Sequence, residues 1–182
     1  MYFSMPFYNL NNFYRDIPMH KTYKTLEESL VLVKEAIQGE REDELFYDYL
    51  ISVAPTQEER NIIETIRNDE RKHNKYFREI YKFYTGQNVS SPPNADFEKP
   101  KSYIDGIRKA KFGELGAVER YRDIRAGIPD EYYRDMAFEI LTDELKHAHK
   151  YDYILYLSLA KWNKPESSPQ TEFTAEQAMQ IA

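Results

Sequence analysis

The chain has 182 residues, 31% charged and 41% hydrophobic, which suits one helical domain with a sizeable core. A net charge of −6 and a pI near 5.3 argue against nucleic acid or an anionic membrane as partner. The absence of cysteine excludes disulfides, thiolate zinc sites and thiolate iron–sulfur modules. No apolar run is long enough for a bilayer. The start MYFSMPFYNLNNFYRD lacks the basic opening and continuous apolar core of a secretory signal, so a cytoplasmic location is expected.

Residues 1–24 are rich in Tyr, Phe, Asn and Met without a period and read as an irregular tail. Its aromatics either dock on the body or a partner, or the segment is disordered. Thr25 with Glu28 forms a capping-box sequence, and so does Thr56 with Glu59. Between them Leu26, Leu30, Val33, Ile37, Glu40, Glu44, Tyr47 and Ile51 form one helical stripe. A second stripe follows Pro55 (Ile63, Ile66, Glu70, His73, Phe77, Ile80, Tyr84) and ends at Gly86. The stretch GQNVSSPPNADFEKP, residues 86 to 100, is a loop long enough to cross the end of a bundle. The third stripe runs Tyr103, Ile107, Ala110, Glu114, Ala117, Tyr121 and Ile124, and stops near Gly127. The fourth follows Pro129, with Asp130 as N-cap: Tyr133, Ala137, Ile140, Glu144, His147, Tyr151 and Ile154. Residues 163–182 form a second tail opened by Pro165.

The two halves repeat. Glu40, Glu70 and His73 recur 74 positions later as Glu114, Glu144 and His147. Ala36, Gly39, Tyr47, Pro55, Asp69 and Lys72 recur at the same offset as Ala110, Gly113, Tyr121, Pro129, Asp143 and Lys146. Four long helices in two matching pairs, with a long connection between the second and third, describe an all-α four-helix bundle of the crossover type over residues 25–162. The repeat gives it a pseudo-twofold axis.

The six repeated Glu and His residues stand on the apolar stripes, at positions that otherwise predict core. Positions three apart share a helix face, so Glu70 projects with His73 and Glu144 with His147. Burying a lone carboxylate costs several kcal/mol, and four together would repel one another. Two divalent cations would cancel that charge, so the set reads as ligands for a pair of metal ions.

On GE (39–40), DERKH (69–73), GE (113–114) and DELKH (143–147), the chain resembles the ferritin-like dimetal carboxylate proteins of the rubrerythrin and bacterioferritin branch. The resemblance covers residues 25 to 160 and implies a ferritin-like bundle. Glu40 and Glu114 would be terminal ligands, Glu70 and Glu144 would bridge, and His73 and His147 would cap one ion each. Asp69 and Asp143 would orient a ligating imidazole on another helix, and Tyr47 and Tyr121 would hydrogen-bond to the carboxylates. The cofactor implied is two iron ions, with manganese possible and zinc an adventitious occupant.

Rubrerythrins that reduce peroxide carry a further Glu three residues after the third-helix ligand, where this chain has Ala117. Glu44 either supplies that missing carboxylate or is a solvated flank of its stripe. The small Gly39 and Gly113 are expected to permit close helix packing. His20 and His149 read as tail or surface residues, and Tyr103, Tyr133 and Tyr151 as packing. The expected function is a rubrerythrin-like redox enzyme acting on hydrogen peroxide or oxygen in oxidative-stress defence. With no rubredoxin in the chain, it would draw on an external electron donor, and a homodimer or larger homo-oligomer is expected. The alternatives are a ferroxidase that sequesters iron, or a metal-stabilised coat or assembly protein.

Overall fold

The computed structural model describes residues 24–90 and 97–162, including every side chain there except those of Glu40, Arg41, Lys161 and Trp162. The two expected tails, Lys24 apart, lie outside the described residues. Those residues form four helices and no strand: α1 (Leu26–Val53), α2 (Gln57–Thr85), α3 (Tyr103–Gly127) and α4 (Glu131–Trp162). None is long and apolar enough to cross a membrane.

The helix ends follow from local chemistry. The Thr25 hydroxyl accepts from the Glu28 N–H at 3.2 Å while the Glu28 carboxylate accepts from the Thr25 N–H at 2.8 Å, a complete capping box. Thr56 accepts from the Glu59 N–H at 3.1 Å to open α2, and Asp130 accepts from the Tyr133 N–H at 3.2 Å to open α4. Helix α2 ends at Gly86, whose φ of 70° is left-handed and suits a residue without Cβ. Arg60 donates to the carbonyls of Ile51 and Ala54, both at 3.3 Å, satisfying acceptors left open at the end of α1.

Helix α1 packs on α2 and α3, and α4 packs on the same two; among the described residues the diagonal backbones stay apart, their side chains meeting across the bundle axis as Phe77 of α2 meets Tyr121 of α3. The end of α3 meets the start of α1, because Gly127 lies against Thr25 and Ser29. The start of α3 meets the end of α1, where Gly106 lies against Leu50. Thus α1 and α3 are antiparallel, and α2 and α3 run the same way. The connection from α2 must therefore travel the length of the bundle, roughly 38 Å for a 25-residue helix. Its described flanks sit accordingly. Val89 packs beside Phe77 and Ile80 near the end of α2, whereas Phe97 packs on Phe46 and Tyr49 near the end of α1. The expectation of a loop across one end is corrected: the repeat places α3 diagonally from α2 and parallel to it.

Two apolar layers fill the interior. One holds Val33, Ile37, Phe77, Ile80, Tyr121, Ile124, Ala137 and Ile140; the other holds Tyr47, Leu50, Ile63, Ile66, Ile107, Tyr151 and Ile154. On α2 and α4 the step from one layer to the other passes through Glu70 and His73, and through Glu144 and His147. The bundle is thus a core interrupted by one polar layer.

Candidate metal centre

Five side chains from three helices converge in that layer. His73, Glu114, Glu144 and His147 are at most 4% exposed, and Glu70 is half-buried. One ligand atom each from Glu70, Glu114, Glu144 and His147 lies within 4.8 Å of the others, a grouping able to hold a metal ion. His147 Nδ1 is 3.1 Å from Glu70, 3.5 Å from Glu144 and 3.8 Å from Glu114. His73 Nδ1 is 3.1 Å from Glu144 and 3.6 Å from Glu70. Both motif carboxylates therefore stand between the two imidazoles, whose ring centres are 5.8 Å apart. Glu40 occupies the matching register on α1, but its side chain lies outside the described residues.

Each imidazole is held from across the bundle. Asp143 on α4 lies 3.1 Å from Nε2 of His73 on α2, and Asp69 on α2 lies 3.1 Å from Nε2 of His147 on α4. An ionised carboxylate only accepts, so Nε2 carries the donated proton and Nδ1 faces the centre. Burial opposes ionisation of Asp143, but hydrogen bonds from Lys146, His73 and Lys72 hold it well below the usual carboxylate range. Asp143→Asn is expected to weaken metal affinity about 10- to 100-fold with the fold retained. Titration with cobalt(II) beside circular dichroism checks this, and unchanged affinity would show that the pairing does not position His73.

In the metal-free protein this density of acid groups acts on the imidazoles. Burial would lower both, but the carboxylates prevail: beside Glu144 and Glu70, His73 is pushed up to about 10, and beside Glu114, Glu144 and Glu70, His147 is pushed up to about 12. Burial, then the hydrogen bond with the neighbouring Glu144, raise the carboxyl of Glu114. Tyr47, from α1, donates to Glu114 Oε1 at 2.8 Å and fixes that carboxyl. Its repeat counterpart Tyr121 is buried in the other apolar layer with its ring on Phe77, 4.9 Å between centres. The carboxylate at the matching register is that of Glu40, whose side chain lies outside the described residues, as does the hydrogen bond expected of Tyr121.

Glu70 Oε1, His73 Nδ1, Glu144 Oε1 and His147 Nδ1 are buried without a well-directed hydrogen bond, and they face one another in two pairs, His73 Nδ1 with Glu144 Oε1 and His147 Nδ1 with Glu70 Oε1, each at 3.1 Å. Buried carboxylates and imidazoles that have only one another as partners leave ligand atoms facing inward, which fits a bound cation. The donor set, imidazole nitrogen and carboxylate oxygen without thiolate, suits iron, manganese or zinc.

Around this layer the structure gives Glu44 a partner, adds Asp43 to the surroundings of the site, and corrects the expectation for Gly39 and Gly113. Glu44 lines a cavity beside Glu70 and His73, but its carboxylate accepts from Arg71 Nε at 3.1 Å. Asp43, one residue earlier, is an acid that lines three cavities among the described residues, two of them walled also by side chains of the layer. The surrounding protein, then the charges of Glu70 and Glu42, push its carboxyl up to about 7, although one flank is exposed. The 74-residue offset could have found it, because it aligns Asp43 with Ala117. Gly39 and Gly113 do not serve close packing: a Cβ on Gly113 would meet nothing within 4 Å, and one on Gly39 only Asp43 at 3.7 Å. His149 is exposed, as expected.

A four-helix bundle of crossover topology with a buried carboxylate–imidazole layer defines a ferritin-type helical protein. The chain belongs to the ferritin-like domain family, whose model matches residues 9–156. A hypothetical protein from Pyrococcus furiosus has a similar fold, with a TM-score of 0.62 and 22% identity over 78% of this chain and 99% of the other. No curated protein gives a significant match.

Proposed function

We propose that this chain is a dimetal redox protein, with iron the metal, that reduces hydrogen peroxide or oxygen using electrons from an external donor. The observation that carries the reading is the set of four buried ligand atoms, from two oriented imidazoles and two carboxylates, that face one another at 3.1 Å in the polar layer. Glu70 and Glu144 each reach both imidazoles, which suits a shared position, and His73, His147 and Glu114 suit one-ion positions, with Glu40 assigned to the last by the repeat. Two ferrous ions held there would each supply one electron to a small oxidant. The residues contribute orientation and exclusion of water. Asp69 and Asp143 keep the Nδ1 lone pairs inward, Tyr47 fixes Glu114, and the two apolar layers seal the site along the bundle axis.

The alternative of a ferroxidase that stores iron is favoured by one feature. Ala117, 5% exposed, fills the place where a third-helix carboxylate would make the set less symmetric. Mixing anaerobically iron-loaded protein with peroxide, and separately with oxygen, distinguishes the two. Two irons per chain, oxidised much faster by peroxide, are expected. Oxidation by oxygen at a similar rate, followed by uptake beyond two irons, would replace the peroxidase reading with storage. Failure to retain iron would overturn both.

A further inference from the structure

We infer that the groove between α1 and α3 is the route by which a divalent cation reaches the centre, and that Asp43 is the carboxylate that receives it there. The inference rests on the metal-centre reading above and adds a route and a residue to it.

Two cavities lie along this groove. The outer one, about 250 Å³, is lined by Glu35, Gly39, Glu42, Asp43 and Arg120, among others. The inner one, about 180 Å³, is lined by Asp43 and Arg120 and also by Glu70, Glu114 and Glu144 of the polar layer. Asp43 thus belongs to both spaces, exposed on one side and sharing a wall with buried ligand atoms on the other. Glu144, 1% exposed and with its Oε1 facing His73 Nδ1 at 3.1 Å in the polar layer, lines the inner cavity and gives the route a destination.

Charge decides what the outer space admits. Three carboxylates face one guanidinium there, so the local field draws cations and repels anions. Glycine decides that the space exists. Gly39 and Gly113 recur at the same place on the two facing helices, and neither is needed for packing. Any larger side chain at Gly113 would project into the open groove beside Glu114. The cavity between α1 and α2 beside Glu70 and His73 is smaller, about 30 Å³, and Glu44 and Arg71 pair across it.

The test is stopped-flow uptake of cobalt(II), followed by its visible absorption, into metal-free full-length protein. The chains compared are wild type, Asp43→Asn, Gly113→Leu and Glu119→Gln, the last a carboxylate on the exposed face of α3. Uptake is expected to slow roughly tenfold in Asp43→Asn and in Gly113→Leu, with final cobalt per chain unchanged and Glu119→Gln at the wild-type rate. Both groove variants loading at the wild-type rate, while wild type binds stoichiometric cobalt, would overturn the route and leave the metal centre standing. Slowing in Gly113→Leu alone would overturn the role of Asp43. No cobalt bound by wild type would overturn the metal-centre reading, and the route with it.

Discussion

Replacing Glu144 is expected to abolish stoichiometric metal binding while leaving a folded bundle. Wild-type protein at a metal concentration about a hundredfold above its dissociation constant gains about 2.7 kcal/mol, which for a domain of this size raises Tm by roughly 8 °C. Glu144→Gln keeps the volume and the helix but not the anion, and the Tm rise should vanish. Glu144 is the residue to choose because its oxygens approach His73 and His147 at 3.1 and 3.5 Å from a position 1% exposed. Glutamine can neither bridge two cations as an anion nor accept from both imidazoliums of the metal-free state. A full Tm rise in Glu144→Gln would show that the carboxylate is not a ligand.

The same ligand chemistry fixes the sign of the pH dependence. A coordinating imidazole must be unprotonated at the donor nitrogen, and His73 stays protonated up to about 10 in the metal-free state. Metal binding therefore releases protons, and affinity rises with pH through neutrality. Without metal the direction reverses. A His73 pKa raised from the ordinary 6.5 contributes stability that is complete below about 6.5 and is lost as pH rises through about 10. Calorimetry of metal-free protein at pH 6 and at pH 10 should show a lower Tm at pH 10, and metal-loaded protein should lack that loss.

Gly127→Ala is expected to destabilise the bundle by about 1–3 kcal/mol. An added Cβ would sit 2.1 Å from Ser29 Oγ, 2.4 Å from the Thr25 carbonyl and 2.9 Å from the Lys24 carbonyl. The serine can rotate, but the two carbonyls belong to the backbone that enters α1, and Thr25 is fixed by its capping box. Relief requires moving the start of α1 away from α3. Gly113→Ala is the contrasting variant: with open space around it, the helix should gain about 0.5–1 kcal/mol. Thermal unfolding of metal-free protein reads both, and a Tm for Gly127→Ala at or above wild type would show that the close approach is not rigid.

Much of this was legible in the chain because helices with one buried face write that face into the sequence. The stripes predicted the buried Ile63, Ile66, Phe77 and Ile80 of α2 and the buried Ala137, Ile140, Tyr151 and Ile154 of α4. Charged residues on those stripes, repeated at one offset, marked the polar layer. On α1 the sequence stripe ended at Ile51, whereas the residue fully buried there is Leu50. At 3.6 residues per turn a stripe drifts, and near its edge neighbouring residues compete for the inside.

That ambiguity is where tertiary structure took over. Asp43 and Glu44 flank the same stripe, about 100° apart around α1. Their roles were set by partners on other helices: Arg71 on α2 captured Glu44, and the groove against α3 was left to Asp43. The pairing of Asp143 with His73 and of Asp69 with His147 joins residues 70 and 78 positions apart, a distance no helical period spans. Gly39 and Gly113 look alike in sequence to Gly127, yet two face open space and one meets a neighbouring backbone. The sequence by itself determined which faces are buried, that the fold repeats, and that anionic and imidazole donors share one layer, since periodicity and residue type are local properties of a helix. Which donors meet, which acid turns outward and where a helix pair touches depend on the offsets between helices, and those are set only when all four pack together.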